Sequence, residues 1–161
     1  MEETVTERDY INSEAFVLQS RLISNSFEKL LGRPLLNGSV VPHAMYEADL
    51  VILSHDGGED PRFTYANRAA QKLWELSLEE FIGMPSRLSA EPDEREARHR
   101  MLTQAADKGY FDSYCGIRIS KSGRRFHIEN AIIWNLLDAE GTKVGQAAAF
   151  EECRFLPIDP S

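Results

Sequence analysis

The sequence predicts an α+β domain: an antiparallel sheet with helices over one face, preceded by an amphipathic helix. Three observations carry this. The C-terminal part holds three strand-like runs joined by short turns, and sequential hairpins force antiparallel neighbours. The middle of the chain sets two short β-type runs against helical patterns bounded by caps and glycines. The whole spans 161 residues, which suits one core and leaves little room for a second.

The first element is a helix from about Asp9 to Leu31, where Ile11, Ala15, Leu18, Leu22, Phe27, Leu30 and Leu31 recur at helical spacing. Gly32 and Pro34 stop it, since glycine accepts the left-handed cap and proline cannot continue a helix. Leu35 to Pro42 is a connector turning at Asn37-Gly38, and a helical piece from His43 to Glu47 leads onward. Leu50 to Ser54 is a compact β-type run closed by Asp56-Gly57-Gly58. Arg62 to Ala66 alternates Phe63 and Tyr65 against polar residues, as a half-buried strand does. Asn67 is an N-cap for a helix carrying Ala69, Ala70, Leu73 and Trp74. Ser77 and Glu80 form a capping box for a short helix ended by Gly83 and Pro85.

A further helix is expected from about Asp93 to Lys108, with Ala97, Met101, Leu102, Ala105 and Ala106 inward. The strands Phe111 to Ser120, Arg125 to Leu137 and Lys143 to Glu151 follow as a meander. The expected organisation is a helical extension over residues 1–34, a core over 35–152 and an irregular tail over 153–161 containing Pro157 and Pro160.

Charge narrows the partners. With 26 acidic and 18 basic residues the formal net charge is −8, which opposes phosphate backbones and anionic membranes. Lys121, Arg124 and Arg125 are too few to build a basic patch, so neither nucleic acid nor membrane is an expected partner. The N-terminal Met1-Glu2-Glu3-Thr4 has no basic region and no apolar run behind it, so no secretory signal is expected. Cys115 and Cys153 lie far apart with no CxxC spacing. That argues against a disulfide framework or a metal site and for a reducing cytoplasm.

Phe63-Thr64-Tyr65-Ala66-Asn67-Arg68-Ala69-Ala70, then Leu73-Trp74 and Glu79-Glu80-Phe81-Ile82-Gly83, resemble the start of a PAS domain. Gly141 and Lys143-Val144-Gly145 resemble the end of one. From Ser26-Phe27 to about Phe150 the chain resembles the MEKHLA domain. The likeness includes Leu31-Gly32-Arg33-Pro34, Tyr46-Glu47-Ala48, Leu53-Ser54-His55-Asp56, Pro85-Ser86-Arg87-Leu88-Ser89-Ala90-Glu91, Gly123-Arg124-Arg125-Phe126 and Ile128-Glu129-Asn130-Ala131. Such domains occur alone in bacteria and at the C-terminus of plant homeodomain-leucine zipper transcription factors, where they are regarded as PAS-like sensors or regulators of dimerisation. The resemblance implies a five-stranded antiparallel sheet, a flanking helical face and a cavity between them. It does not imply a ligand, because fold does not fix one.

The candidate cavity follows from alternation. On the fourth strand Phe126, Ile128, Asn130, Ile132 and Trp134 share a face, with His127 and Glu129 opposite. Asn130 would then stand among apolar groups, where a buried amide either finds internal hydrogen bonds or offers itself to a ligand. Gln146-Ala147-Ala148-Ala149-Phe150 has small side chains that leave space above the sheet, with Gln146 and Ala148 on one face. Tyr65, Trp74 and Arg87 complete the candidate set. Arg87 suits a carboxylate or phosphate, with a surface ion pair as the competing reading. Cys115 shares a face with Ile117 and Ile119 and reads as a core residue.

Comparison with flavin-binding photoreceptor PAS domains limits the cofactors. Ser86 stands where those domains carry the reactive cysteine, leaving flavin binding without cysteinyl photochemistry as the only flavin option. Ile128 falls near an expected flavin-contacting asparagine, and the last strand lacks the expected glutamine near Phe150. His99 lies about 160° around its helix from Met101, away from the apolar stripe, so haem is not expected.

Ser54-His55-Asp56 is no triad, because consecutive strand residues diverge, and no HExxH, GxSxG or phosphate-loop pattern occurs. The function read from the sequence is a sensory or regulatory module that binds a small molecule or a protein partner and signals to a separate output protein. One alternative is a small enzyme using His55, Asn130 or Arg87 in the cavity. Another is an unliganded dimerisation domain filled by Trp74, Phe126, Ile132 and Trp134. Leu18, Leu22 and Phe27 are the candidate interface, since their stripe must be covered by the chain's own sheet or by a second copy in a homodimer.

Overall fold

The computed structural model describes residues 7–36, 42–89, 103 and 108–157. The turn expected at Asn37-Gly38 lies outside them, as does most of the helix expected over Asp93 to Lys108, with His99. The N-terminal helix is two pieces, α1 (Glu7–Ile11) and α2 (Glu14–Leu31). Ser13 makes the break by capping α2, its Oγ accepting from the Phe16 amide at 3.2 Å. Gly32 ends α2 in the left-handed conformation, its N–H donating to the Glu28 carbonyl at 2.8 Å. Then come α3 (Pro42–Glu47), β1 (Val51–Asp56), β2 (Phe63–Ala66), α4 (Arg68–Trp74) and α5 (Leu78–Phe81). After a 3₁₀ turn at Ser86–Ser89 the chain re-enters the sheet through β3 (Tyr110–Ile119), β4 (Arg125–Leu137) and β5 (Lys143–Phe150).

The five strands run in the order β2-β1-β5-β4-β3, each antiparallel to its neighbours. A sixth, β6 (Glu152–Phe155), pairs with the first half of β4. The tail expected to be irregular is therefore a strand up to Phe155. The ladder accounts for it: β6 carries on along the edge of β4 that β5 has just left, with Glu129 opposite Glu152 and Ile132 opposite Ala149.

Both faces of the sheet are covered. On one, α4 and α5 pack Ala70, Trp74 and Phe81 over Leu53, Phe126, Ile128, Ile133 and Phe150. On the other, α2 and α3 bring Phe16, Ile23, Phe27, Met45 and Tyr46 onto Ile52, Tyr65, Trp134 and Leu136. The N-terminal helix thus finds its cover on its own sheet. Trp134 fixes it by donating its indole N–H to the Ile23 carbonyl at 3.0 Å, and the Ser26 hydroxyl accepts from the Leu137 amide at 2.9 Å.

Asn67 ties the faces to the helices. It caps α4 through Oδ1, which also accepts from the Ile52 amide, while Nδ2 donates to the carbonyls of Met45 and Leu50. The capping box at Ser77 and Glu80 is formed. Among the described residues, no helix is long and apolar enough to cross a membrane, and no His, Cys, Asp and Glu cluster is arranged to hold a metal ion.

One level of the sheet is irregular. Ser113 on β3 and Asn130 on β4 adopt positive φ, 60° and 54°, and Glu151 forms a bend between β5 and β6. A residue in the left-handed region shifts the alternation of the strand beyond it, as a bulge does. Below this level Tyr114, Ile128 and Cys153 take the face of α4, and above it Phe111, Ile133 and Phe150 do. Simple alternation therefore fails on both strands, and the site depends on it.

Candidate functional site

Between the sheet and α4 lies a cavity of about 60 Å³. Its apolar wall is Leu53, Phe63, Trp74, Ile128, Ile133, Ala148 and Phe150, and its polar groups include His55, Arg118 and Gln146. Four of the eight residues expected at the cavity line it: Trp74, Ile128, Gln146 and Ala148.

The other four do not. Asn130 is exposed, its Nδ2 donating to Glu152 Oε2 at 3.3 Å, so it is not the buried amide expected. The positive φ at Asn130 turns Ile132 and Trp134 to the α2 face and puts Ala131 and Ile133 in the cavity wall. Asn130 and Ile132 instead border a separate depression of about 210 Å³, together with Phe27, Arg33 and Leu35. Tyr65 lies on the α2 face, stacked on Phe16 with ring centroids 6.0 Å apart. Its hydroxyl is buried, and burial pushes its ionisation well above the usual phenol range. Arg87 is on the surface, its Nε 3.1 Å from Asp60 Oδ1, so the ion-pair reading is the observed one.

Of the expected interface residues, Phe27 is buried against Trp134 with ring centroids 4.8 Å apart. Leu22 packs partly into the same cluster, and Leu18 is 58% exposed. The buried stripe of α2 is Phe16, Ser20, Ile23 and Phe27, turned away from Leu18. The interior expected to be filled by Trp74, Phe126, Ile132 and Trp134 together is split between the two faces.

At one end of the cavity Gln146 is 2% exposed and donates from Nε2 to Asn135 Oδ1 at 3.3 Å. His55 sits opposite Gln146 in register, its Nδ1 2.7 Å from the Asp56 carbonyl. The Ser54 hydroxyl is 2.8 Å from that of Thr64 and accepts from Gln19 of α2.

At the other end stands Arg118, which the sequence reading passed over. Below Ser113 the inward face of β3 is Tyr114, Gly116, Arg118 and Ser120, so Cys115 is exposed, while Ile117 and Ile119 are half-buried. Cys115 is thus not the core residue expected. Arg118 is 7% exposed; its Nη2 donates to the Tyr114 hydroxyl at 2.7 Å and its Nη1 to the Ile117 carbonyl at 2.9 Å. Among the described residues no carboxylate pairs with it, although the chain is strongly acidic. The signal that could have found it is Gly116: a glycine inside a strand marks a close approach by another group. Here a Cβ would lie 2.4 Å from the Tyr114 hydroxyl oxygen and 3.2 Å from Arg118 Nη1.

A flavin does not fit these residues. An engineered cavity of about 150 Å³ is filled by one benzene ring, so about 60 Å³ cannot take a three-ring system. Ser86, at the place of the photoreactive cysteine, is buried in the 3₁₀ turn and is not in the cavity wall.

The sheet order, the helical face and the cavity between them define a PAS-like domain. Solved structures agree on the fold. A PAS domain from Colwellia psychrerythraea matches at a TM-score of 0.60 and 18% identity, over 71% of this chain and 92% of that one. A light-oxygen-voltage domain probed with a flavin analogue matches at 0.57 and 19%, over 72% and 84%. The light-state dimer of the fungal blue-light photoreceptor Vivid matches at 0.56 and 16%, over 79% and 91%. No curated protein matches. The chain belongs to the MEKHLA domain family, whose model matches residues 17–155.

Proposed function

We propose that this domain is a sensory module that takes a small ligand into the cavity beneath α4 and passes its occupancy to a partner protein. The observation that carries the reading is the cavity: an apolar wall with the buried polar side chains of Arg118 and Gln146 at its ends. Pockets of that make-up are the usual form of small-molecule sites. The enzyme alternative has lost two of its three polar groups, since Asn130 and Arg87 lie outside the cavity.

The fold offers a route for the signal. Ile133 lines the cavity, while the next residue, Trp134, holds α2 through the Ile23 carbonyl. A ligand that moves β4 at Ile133 bears directly on how α2 is seated. Homodimerisation through α2 is the second reading, supported by the exposure of Leu18 on its outer side.

Native mass spectrometry of the protein purified from its own host, sprayed from ammonium bicarbonate, tests the leading reading. A bound mass that disappears on denaturation is the expected result. A bare monomer mass in every preparation counts against it, and a bare dimer that Leu18→Ser dissociates would move the function to the second reading.

A further inference from the structure

We infer that the depression at the level of Asn130 is a second site, and that it binds a free α-amino acid with a small apolar side chain. The site is separate from the cavity beneath α4 and does not depend on that reading.

The depression lies where the sheet changes partners. β4 leaves β5 at Ile132, opposite Ala149, and takes up β6 at Glu129, opposite Glu152. Asn130, at φ 54°, and the bend at Glu151 open a gap between the two ladders. Phe27 of α2 and Leu35, just beyond it, border this gap, and with Ile132 and Ala149 they give it an apolar floor. Ala149 contributes a single methyl group, which leaves room above it.

Charges of both signs line the same space. Arg33 brings a guanidinium, 5.4 Å from the centre of the Phe27 ring, while β4 and the β5–β6 bend bring Glu129, Glu151 and Glu152. Glu129 and Glu152 stand directly opposite each other in the ladder, a position that like charges disfavour. Glu129 is answered by Arg154 at 3.5 Å, with His127 Nδ1 3.4 Å away. Glu152 meets the Asn130 amide at 3.3 Å, and a neutral donor leaves the carboxylate charge in place. An ammonium group therefore gains most at Glu152.

A ligand that matches the whole lining carries one ammonium, one carboxylate and a small apolar body. An α-amino acid has all three, with its carboxylate on the planar fork of Arg33 and its side chain against Phe27, Leu35 and Ile132. Size agrees. A cavity of about 150 Å³ takes one benzene ring, so in proportion about 210 Å³ takes about eight heavy atoms, the size of valine. A sphere of that volume is about 7 Å across, close to the span of an amino-acid head group with a hydrogen bond at each charged end.

The test is an NMR titration of the full chain with L-valine and with its one-charge analogues, isobutylamine and 3-methylbutanoate. Valine should shift the Ile132 methyl signals and, through Phe27, the Trp134 indole N–H, while Trp74 stays in place. Each analogue should bind at least about tenfold more weakly, the loss of one charged hydrogen-bonded pair. Arg33→Gln and Glu152→Gln should each weaken valine about tenfold, and Leu18→Ser, away from the depression, should not. Both altered residues are exposed, so both variants should keep the wild-type melting temperature. Either analogue binding as tightly as valine, or valine binding equally well to both variants, would overturn the amino-acid assignment. An unmoved Ile132 at about 10 mM valine, enough to fill a millimolar site, would overturn the site itself. Neither result bears on the cavity, which Trp74 reports.

Discussion

Arg118 folds back along β3 to place Nη2 2.7 Å from the hydroxyl of Tyr114, four residues earlier, with Gly116 between them on the same face. The guanidinium carbon also lies 5.4 Å from the centre of the Tyr114 ring. This arrangement holds a buried cation at the cavity, and it requires position 116 to have no side chain.

Gly116→Ala is therefore expected to push the Tyr114 ring and the guanidinium off their seats. Overpacking of this kind costs about 1–3 kcal/mol. Urea denaturation measures it, and the same variant should lose any ligand-induced rise in melting temperature. A variant as stable and responsive as wild type would mean that the Tyr114–Arg118 contact is not what shapes this end of the cavity.

Asn130 should tolerate only residues that accept positive φ. Asn130→Ile is expected to destabilise by about 1–3 kcal/mol, because a β-branched side chain in that region is strained. Asn130→Gly should be neutral or slightly stabilising. Equal stabilities of the two variants would mean that β4 runs through this level without the bulge.

That bulge also decides how far the sequence could be read. Among the described residues the helices, apart from the break at Ser13, their caps at Asn67, Ser77 and Gly32, the strand runs and the family were legible, because periodicity and capping are local signals. So were Trp74, Ile128, Gln146 and Ala148. On β4 the failure has one physical cause: alternation runs straight through Asn130, which is not a glycine yet stands at positive φ, and so puts Asn130, Ile132 and Trp134 on one face with Ile128. On β3 the apolar members Cys115, Ile117 and Ile119 suggest the inward face, whereas Tyr114, Gly116, Arg118 and Ser120 occupy it, which hid Arg118. The sixth strand went unread because β6 has little apolar periodicity and owes its pairing to the free edge of β4.

The covering of α2 by its own sheet separates two side chains that sequence spacing grouped together. Phe27→Ala should cost about 3–5 kcal/mol, the usual range for a buried phenylalanine. Leu18→Ser, at an exposed position, should stay within about 0.5 kcal/mol. Chemical denaturation of the two variants checks the contrast, and a large effect of Leu18→Ser at micromolar protein would indicate that a second chain covers it.

The α2 face also carries a dependence on alkaline pH. Burial pushes Tyr10 up from its ordinary 10.0 to about 12, and raises Tyr65 further. The folded state holds these protons more tightly than the unfolded chain, so their stabilising effect is complete below pH 10. It is lost as pH rises through about 12. Absorbance at 295 nm should show part of the tyrosine titration delayed and merged with unfolding, and Tyr65→Phe should remove some of the delay. All tyrosines ionising near 10 in a folded protein would contradict the packing of this face.

The two tryptophans allow the ligand site to be tested most directly, since Trp74 lines the cavity and Trp134 lies on the far side of the sheet. Their indole N–H signals can be followed in ¹H–¹⁵N spectra of the protein as purified from its own host and of the same protein after denaturation, dialysis and refolding. Ligand in the cavity should separate the Trp74 signals of the two preparations strongly, with a smaller, secondary difference at Trp134 as α2 reseats. Both signals standing in the same place in the two preparations would contradict the claim that this PAS-like core takes a small molecule.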